Sequence, residues 1–224
     1  GLLDRAETVF SDLAQIDQRA PQALRHLIGI YQAERDWEKA IENARRYEAA
    51  TAEPMGKLIG QFECELADRQ RAAGETDAAR ASIARAYAAD STSVRAGISE
   101  GRIEAEAGNT DLGVTLLQRA IAQAGGTWSF VEGFIAYYQA RAGQPEVAEA
   151  SERRLGEIDP PNHMALALAA LGRHDIPEAI HQLELAAGAR DPFLVHIADH
   201  PPLTQLLAEP RATSLYRRLN LPVG

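Results

Sequence analysis

Apolar residues recur along this chain every three or four positions, with polar residues between them. Leu3, Ala6, Val9, Phe10 and Leu13 share one face at that spacing and predict a helix over 2–19. Pro21 marks the start of the next helix, where a missing N–H costs nothing. Leu24, Leu27, Ile28 and Tyr31 form its stripe over 22–34, and Ala40, Ile41, Ala44 and Tyr47 form that of a partner over 37–50. The pattern continues in pairs: 57–73 with 76–89, 92–107 with 110–124, 130–142 with 145–157, and 162–172 with 176–187. Gly74 and Gly108 divide two of these pairs, and Gly125-Gly126-Thr127 makes a break between pairs. Ser129 followed by Glu132 is a capping-box pattern that predicts a helix opening at 130. Beyond Asp191-Pro192 the prolines cut the chain into short pieces, with short helices expected near 193–198, 203–208 and 211–219.

The pairs are copies of one unit. Ala6, Ala40, Ala79, Gly113, Ala148 and Ala179 sit in similar frames, separated by 34, 39, 34, 35 and 31 residues. Seven residues after the first four come Leu13, Tyr47, Ala86 and Ala120. Five residues before the first five come Gly1, Arg35, Gly74, Gly108 and Gly143, a glycine in all but one. The long turn at 51–56 accounts for the 39-residue gap. A helix–turn–helix period near 34 is the signature of a tetratricopeptide array. The expected fold is all-α: a right-handed superhelical solenoid of about six units, with the array over 1–190 and a capping segment over 191–224. Leu27, Leu66, Ala67, Gly101, Ile135 and Ala136 are packing positions, the small ones allowing close helix approach.

Composition narrows the function. Charged residues are 25% and aromatics only 6%, which suits a soluble protein of helices packed through small side chains. A net charge of −9 without a basic run argues against nucleic acid and against polybasic membrane binding. The one cysteine, Cys64, excludes an intrachain disulfide and fits a reducing compartment. No apolar run approaches a membrane span, so no direct membrane insertion is expected. The chain begins at Gly1 inside a repeat, and is read as a fragment whose targeting or anchoring segment lies upstream.

The first helix of each unit lines the inner groove. Helical spacing projects Arg25, Gln32, Gln61, Cys64, Asp68, Arg71, Arg95, Ile98, Arg102, Phe130, Tyr137 and Arg141 there. Arginines and aromatics are enriched at binding hot spots, and a guanidinium fork suits a carboxylate on a protein or peptide partner. The same arginines would also serve as ion-pair partners of glutamates on neighbouring repeats. Arg95 and Arg102, two turns apart, are expected to face solvent. No catalytic constellation emerges, and neither a cofactor nor a metal is expected. The six histidines lack a helical acid partner at metal-ligand spacing; His196 and His200 are four apart but run into Pro201-Pro202. Cys64 has no CxxC partner and its helical setting suggests a buried small hydrophobe.

Five segments carry a more specific likeness: GLLDRAETVF at the start, ALRHLIGIYQAERDWEKAI at 23–41, FECELA at 62–67, SVRAGISEGRIEAEAGN and TLLQRAI. Together they make residues 1–125 resemble the lipopolysaccharide assembly protein B family of proteobacteria. The resemblance implies a cytoplasmic array held at the inner membrane by an N-terminal helix outside this chain. It further implies an adaptor that brings the lipid A-pathway deacetylase, its client enzyme, to a membrane-bound AAA+ protease. That family also carries a C-terminal zinc ribbon, which one cysteine cannot supply. Residues 166–222 instead resemble the closing repeat of tetratricopeptide sensor proteins, which implies a peptide-binding module tuning a separate signalling or transcription-regulating domain.

Overall fold

The computed structural model describes residues 1–16, 20–126, 128–158, 160–191, 194, 197 and 200–219. Among them the regular structure is helical: thirteen α-helices and a 3₁₀ turn at Gln205–Ala208, with no strand. The helices are α1 (Leu2–Ile16), α2 (Pro21–Glu34), α3 (Trp37–Thr51), α4 (Gly56–Ala72), α5 (Thr76–Ala89), α6 (Val94–Glu106) and α7 (Thr110–Gln123). They continue as α8 (Ser129–Arg141), α9 (Pro145–Gly156), α10 (His163–Gly172), α11 (Ile176–Gly188), α12 (Pro201–Thr204) and α13 (Pro210–Arg218). The all-α expectation holds, and helices α1 to α11 fall where the periodicity puts them. Residues 17–19 of the first predicted helix and most of 193–198 lie outside the described residues.

Five hairpins repeat one joint: α2/α3, α4/α5, α6/α7, α8/α9 and α10/α11. In each, a left-handed residue ends the first helix: Arg35, Gly74, Gly108, Gly143 and His174. The next N–H then reaches back five residues, from Asp36 to Tyr31, Glu75 to Gln70, Asn109 to Glu104, Gln144 to Gln139 and Asp175 to Ala170, at 2.9–3.0 Å. This Schellman geometry satisfies carbonyls that the helix end would otherwise leave unpaired. Asp36 and Asp175 also cap the following helices through their side chains. The recurring small residues all lie on second helices, and Ala40, Ala79, Ala148 and Ala179 are at most 1% exposed.

The chain forms two compact units, Gly1–Ser99 and Glu100–Gly224. In the first, Leu24, Leu27, Ile28, Tyr31, Trp37, Ile41, Phe62 and Leu66 form one apolar cluster. Phe10 packs against it and stacks on His26 with centroids 4.5 Å apart. Leu3, Val9 and Leu13 of the predicted α1 stripe are exposed; α1 packs chiefly on α2. In the second unit the helices approach through glycine. A Cβ on Gly113 would lie 2.6 Å from the Gly101 carbonyl oxygen and 2.7 Å from Ala105. A Cβ on Gly133 would meet the backbone of Ala165 at 2.7 Å. Leu27, Leu66, Ala67, Ile135 and Ala136 are buried as expected.

Two expected helix starts shift for local reasons. The expected start at 92 moves to Val94. The Asp90 carboxylate accepts from both the N–H and the hydroxyl of Thr92, and Ser93 accepts from the Ala96 N–H. The capping box at Ser129 does not form. The helix begins at Ser129 itself, with Trp128 at the cap position. Ser129 accepts from the Asn162 side chain at 3.0 Å, and Glu132 pairs with Arg154.

The C-terminal stretch expected to cap the array, from His200 on, folds as α12, the 3₁₀ turn and α13. Leu203, Leu206, Ala212, Leu215 and Tyr216 are buried, and the Tyr216 hydroxyl donates to the Leu203 carbonyl at 3.1 Å.

Candidate functional site

The residues projected onto the inner face divide between the two units, and each unit treats its share differently. In the first unit, Arg25, Gln32, Gln61 and Arg95 are exposed. Arg95 is the most organised of them. Its Nη2 lies 3.1 Å from Glu65 Oε1 and 3.0 Å from Asp68 Oδ2, while 44% of its side chain stays exposed. Burial works against its charge, yet Asp68 and Glu65 hold the guanidinium above its ordinary pKa. Arg25 approaches Tyr47, whose hydroxyl donates to Glu53 at 2.7 Å.

Three residues assigned to this face are not on it. Arg71 is buried, with 2% of its side chain exposed and Nε 3.5 Å from Asp68 Oδ1. Asp68 gathers Arg71, Arg95 and the Ser99 hydroxyl (3.3 Å), which draws Arg71 inward. Cys64 is fully buried, and that burial pushes its thiol up to about 12. It is the small hydrophobe expected of its helical setting. Ile98 is 8% exposed.

In the second unit Arg102 and Tyr137 of the projected set are covered. Arg102, expected to face solvent, is 5% exposed. Its guanidinium carbon lies 4.4 Å from the Phe134 ring centroid, and Nη2 is 3.3 Å from His200 Nδ1. A guanidinium has no acceptor, so the imidazole accepts at Nδ1 and this contact needs that nitrogen unprotonated. His200 is itself 8% exposed and meets Phe130 and Phe134 edge-on, with centroids 5.0 and 5.5 Å apart. Tyr137 is also buried; burial raises its hydroxyl pKa, and its hydroxyl pairs with Gln205. Arg102 is buried because His200 and Gln205 of the C-terminal stretch lie over side chains of α6 and α8. Arg141 remains exposed and contacts His174.

Helical spacing alone missed His200, Phe134 and Gln205. The His-Pro-Pro sequence reads as a turn, and nothing in the local pattern says which helix the turn folds against. His196, its expected neighbour, lies outside the described residues. Among the described residues no group of three or more His, Cys, Asp or Glu could hold a metal ion, and no helix is long and apolar enough to cross a membrane.

No family model matches the chain. It is 37% identical over 123 residues to lipopolysaccharide assembly protein B of Escherichia coli strain K12, and equally to the protein of that name from Escherichia coli O157:H7. The aligned stretch is 55% of this chain and 32% of each relative, so the chain spans about a third of the length of the curated relatives it matches.

Proposed function

We propose that this chain is a non-catalytic adaptor of the lipopolysaccharide assembly protein B type, holding a protein partner on the inner helices of its hairpins. The observation that carries this reading is the exposed polar row Arg25, Gln32, Gln61 and Arg95 on a packed array of hairpins. Arg95 is held in place by two carboxylates yet keeps an open side. Such a guanidinium loses little freedom on meeting a partner carboxylate, so more of the contact appears as affinity. The similarity to lipopolysaccharide assembly protein B supports the finer reading. The array works at the cytoplasmic side of the inner membrane and raises the effective concentration of a client enzyme beside a membrane protease.

The test is capture by the full chain from a proteobacterial lysate, read by mass spectrometry, with wild type beside Arg25→Glu/Arg95→Glu. The expected result is recovery of the lipid A-pathway deacetylase and the AAA+ protease by wild type, and loss of either from the variant at unchanged helicity. Recovery of neither by wild type overturns the adaptor reading. Equal recovery by both proteins removes this row from the site. A second reading, a peptide-binding sensor module, is favoured by the closing sequence at 166–222. Finding a cyclase, kinase or DNA-binding domain in the same polypeptide would select it.

A further inference from the structure

The second unit's inner face is built like a binding surface and is filled. Its floor is Arg102, Phe130, Phe134 and Tyr137, drawn from α6 and α8. What fills it comes from the far end of the chain: His200, 98 residues from Arg102 in sequence, and Gln205. We propose that the C-terminal cap is a resident occupant of this face, and that a partner segment reaches it by displacing the cap. This rests on the adaptor reading and adds its regulation: one face open in the first unit, one self-occupied in the second.

Three observations carry it. The contacts are of the recognition kind: a guanidinium set over an aromatic ring, an imidazole accepting from it, and an amide on a phenol. The cap's helices are short, four residues in α12 and nine in α13, and helices of that length do not stand alone. It is anchored through side chains, Leu203, Leu206, Ala212, Leu215 and Tyr216, each at most 2% exposed, whereas the hairpins of this unit also interlock through close glycine-to-backbone contacts. Segments that open for function come from the least stable part of a fold. The displacing segment is one of the cap's own make-up: leucines a turn apart beside a group that accepts from Arg102.

A synthetic peptide of residues 200–219, fluorescein-labelled, tests this on the full chain by anisotropy. In wild type the resident cap competes. In Leu203→Ala/Leu206→Ala, where the cap is loosened, the peptide should bind about ten-fold tighter, the factor for a competitor that occupies the face nine-tenths of the time. A second protein, Arg102→Gln in the loosened variant, removes the guanidinium from which the imidazole accepts and should lose most of the gained peptide binding. Equal binding to wild type and the loosened variant, or binding to neither, overturns the proposal. So does loss of the hairpins' helicity together with the cap, which would make the cap part of the core. The assay contains no partner, so its failure leaves the adaptor reading standing, and failed capture from lysate leaves the cap result standing.

Discussion

Adding one methyl group to Gly113 and one to Gly29 should move stability in opposite directions. Both glycines lie inside helices, where alanine is intrinsically better by about 0.8–1 kcal/mol. Gly29 on α2 is exposed and a Cβ there meets nothing within 4 Å, so Gly29→Ala should realise that gain almost whole. At Gly113 the new atom would lie 2.6 Å from the Gly101 carbonyl oxygen and 2.7 Å from both the nitrogen and the Cβ of Ala105. Ordinary contact begins near 3.4 Å, so α6 and α7 must separate by somewhat under an ångström. The obstacles are main chain and a methyl, neither of which can rotate away. Overpacking of this kind costs about 1–3 kcal/mol, and the upper part of that range applies. After subtracting the helix gain, Gly113→Ala should destabilise the second unit by about 1–2 kcal/mol. With a urea slope of about 2 kcal/mol/M the midpoint falls by roughly 0.5–1 M. Trp37 lies in the first unit and Trp128 in the second, so Trp37→Phe and Trp128→Phe backgrounds report each unit's unfolding by fluorescence. Gly113→Ala at or above its parent's stability, or Gly29→Ala below it, would refute the packing argument.

Three further outcomes are expected. Glu63 has 2% of its side chain exposed and binds Arg45 and Arg85, which are about half-exposed, at 2.9–3.1 Å. Glu63→Met frees two arginines to rehydrate and should cost about 1 kcal/mol or less, whereas Arg45→Ala/Arg85→Ala strands a buried carboxylate and should cost about 3–5 kcal/mol in urea unfolding. Cys64, raised to about 12 by burial, should resist alkylation at pH 8 unless urea is present; its ordinary thiol value is about 8.5, so its contribution to stability is full below that and erodes as pH rises toward 12. Burial also raises the Tyr216 hydroxyl above the usual tyrosine value of about 10, so the cap should hold below that pH and loosen above it. Hydrogen exchange across 203–219 at pH 9 and pH 11 measures the last, and unchanged protection relative to α8 would refute it.

The elements were largely legible in the sequence because each helix buries a stripe that recurs at its own period, and because small residues mark where two helices touch. Ala40, Ala79, Ala148 and Ala179 show both. The site was legible only in part. Spacing says which way a side chain leaves its own helix, and Arg25, Gln32, Gln61 and Arg95 are exposed as projected. It says nothing of what arrives from elsewhere. Arg102 and Tyr137 leave α6 and α8 as projected and are then covered by a segment about 70 to 100 residues downstream. Arg71 was lost for a nearer reason, the pull of Asp68 within the same helix. Ser129 shows the limit of a four-residue motif, since Asn162 offers its hydroxyl a donor from another hairpin.

The joints between paired helices have a consequence for what can be rebuilt. Each is closed by main-chain hydrogen bonds around one left-handed residue, and Arg35 and His174 do the work that glycine does in Gly74, Gly108 and Gly143. Since the backbone itself makes the hinge, its angle places almost no demand on surrounding side chains. The outward-facing letters can therefore be rewritten, unit by unit, without disturbing how a hairpin closes. A new specificity could be grafted onto α2 or α4 as a change of surface alone, leaving the small residues beneath to keep the helices in step.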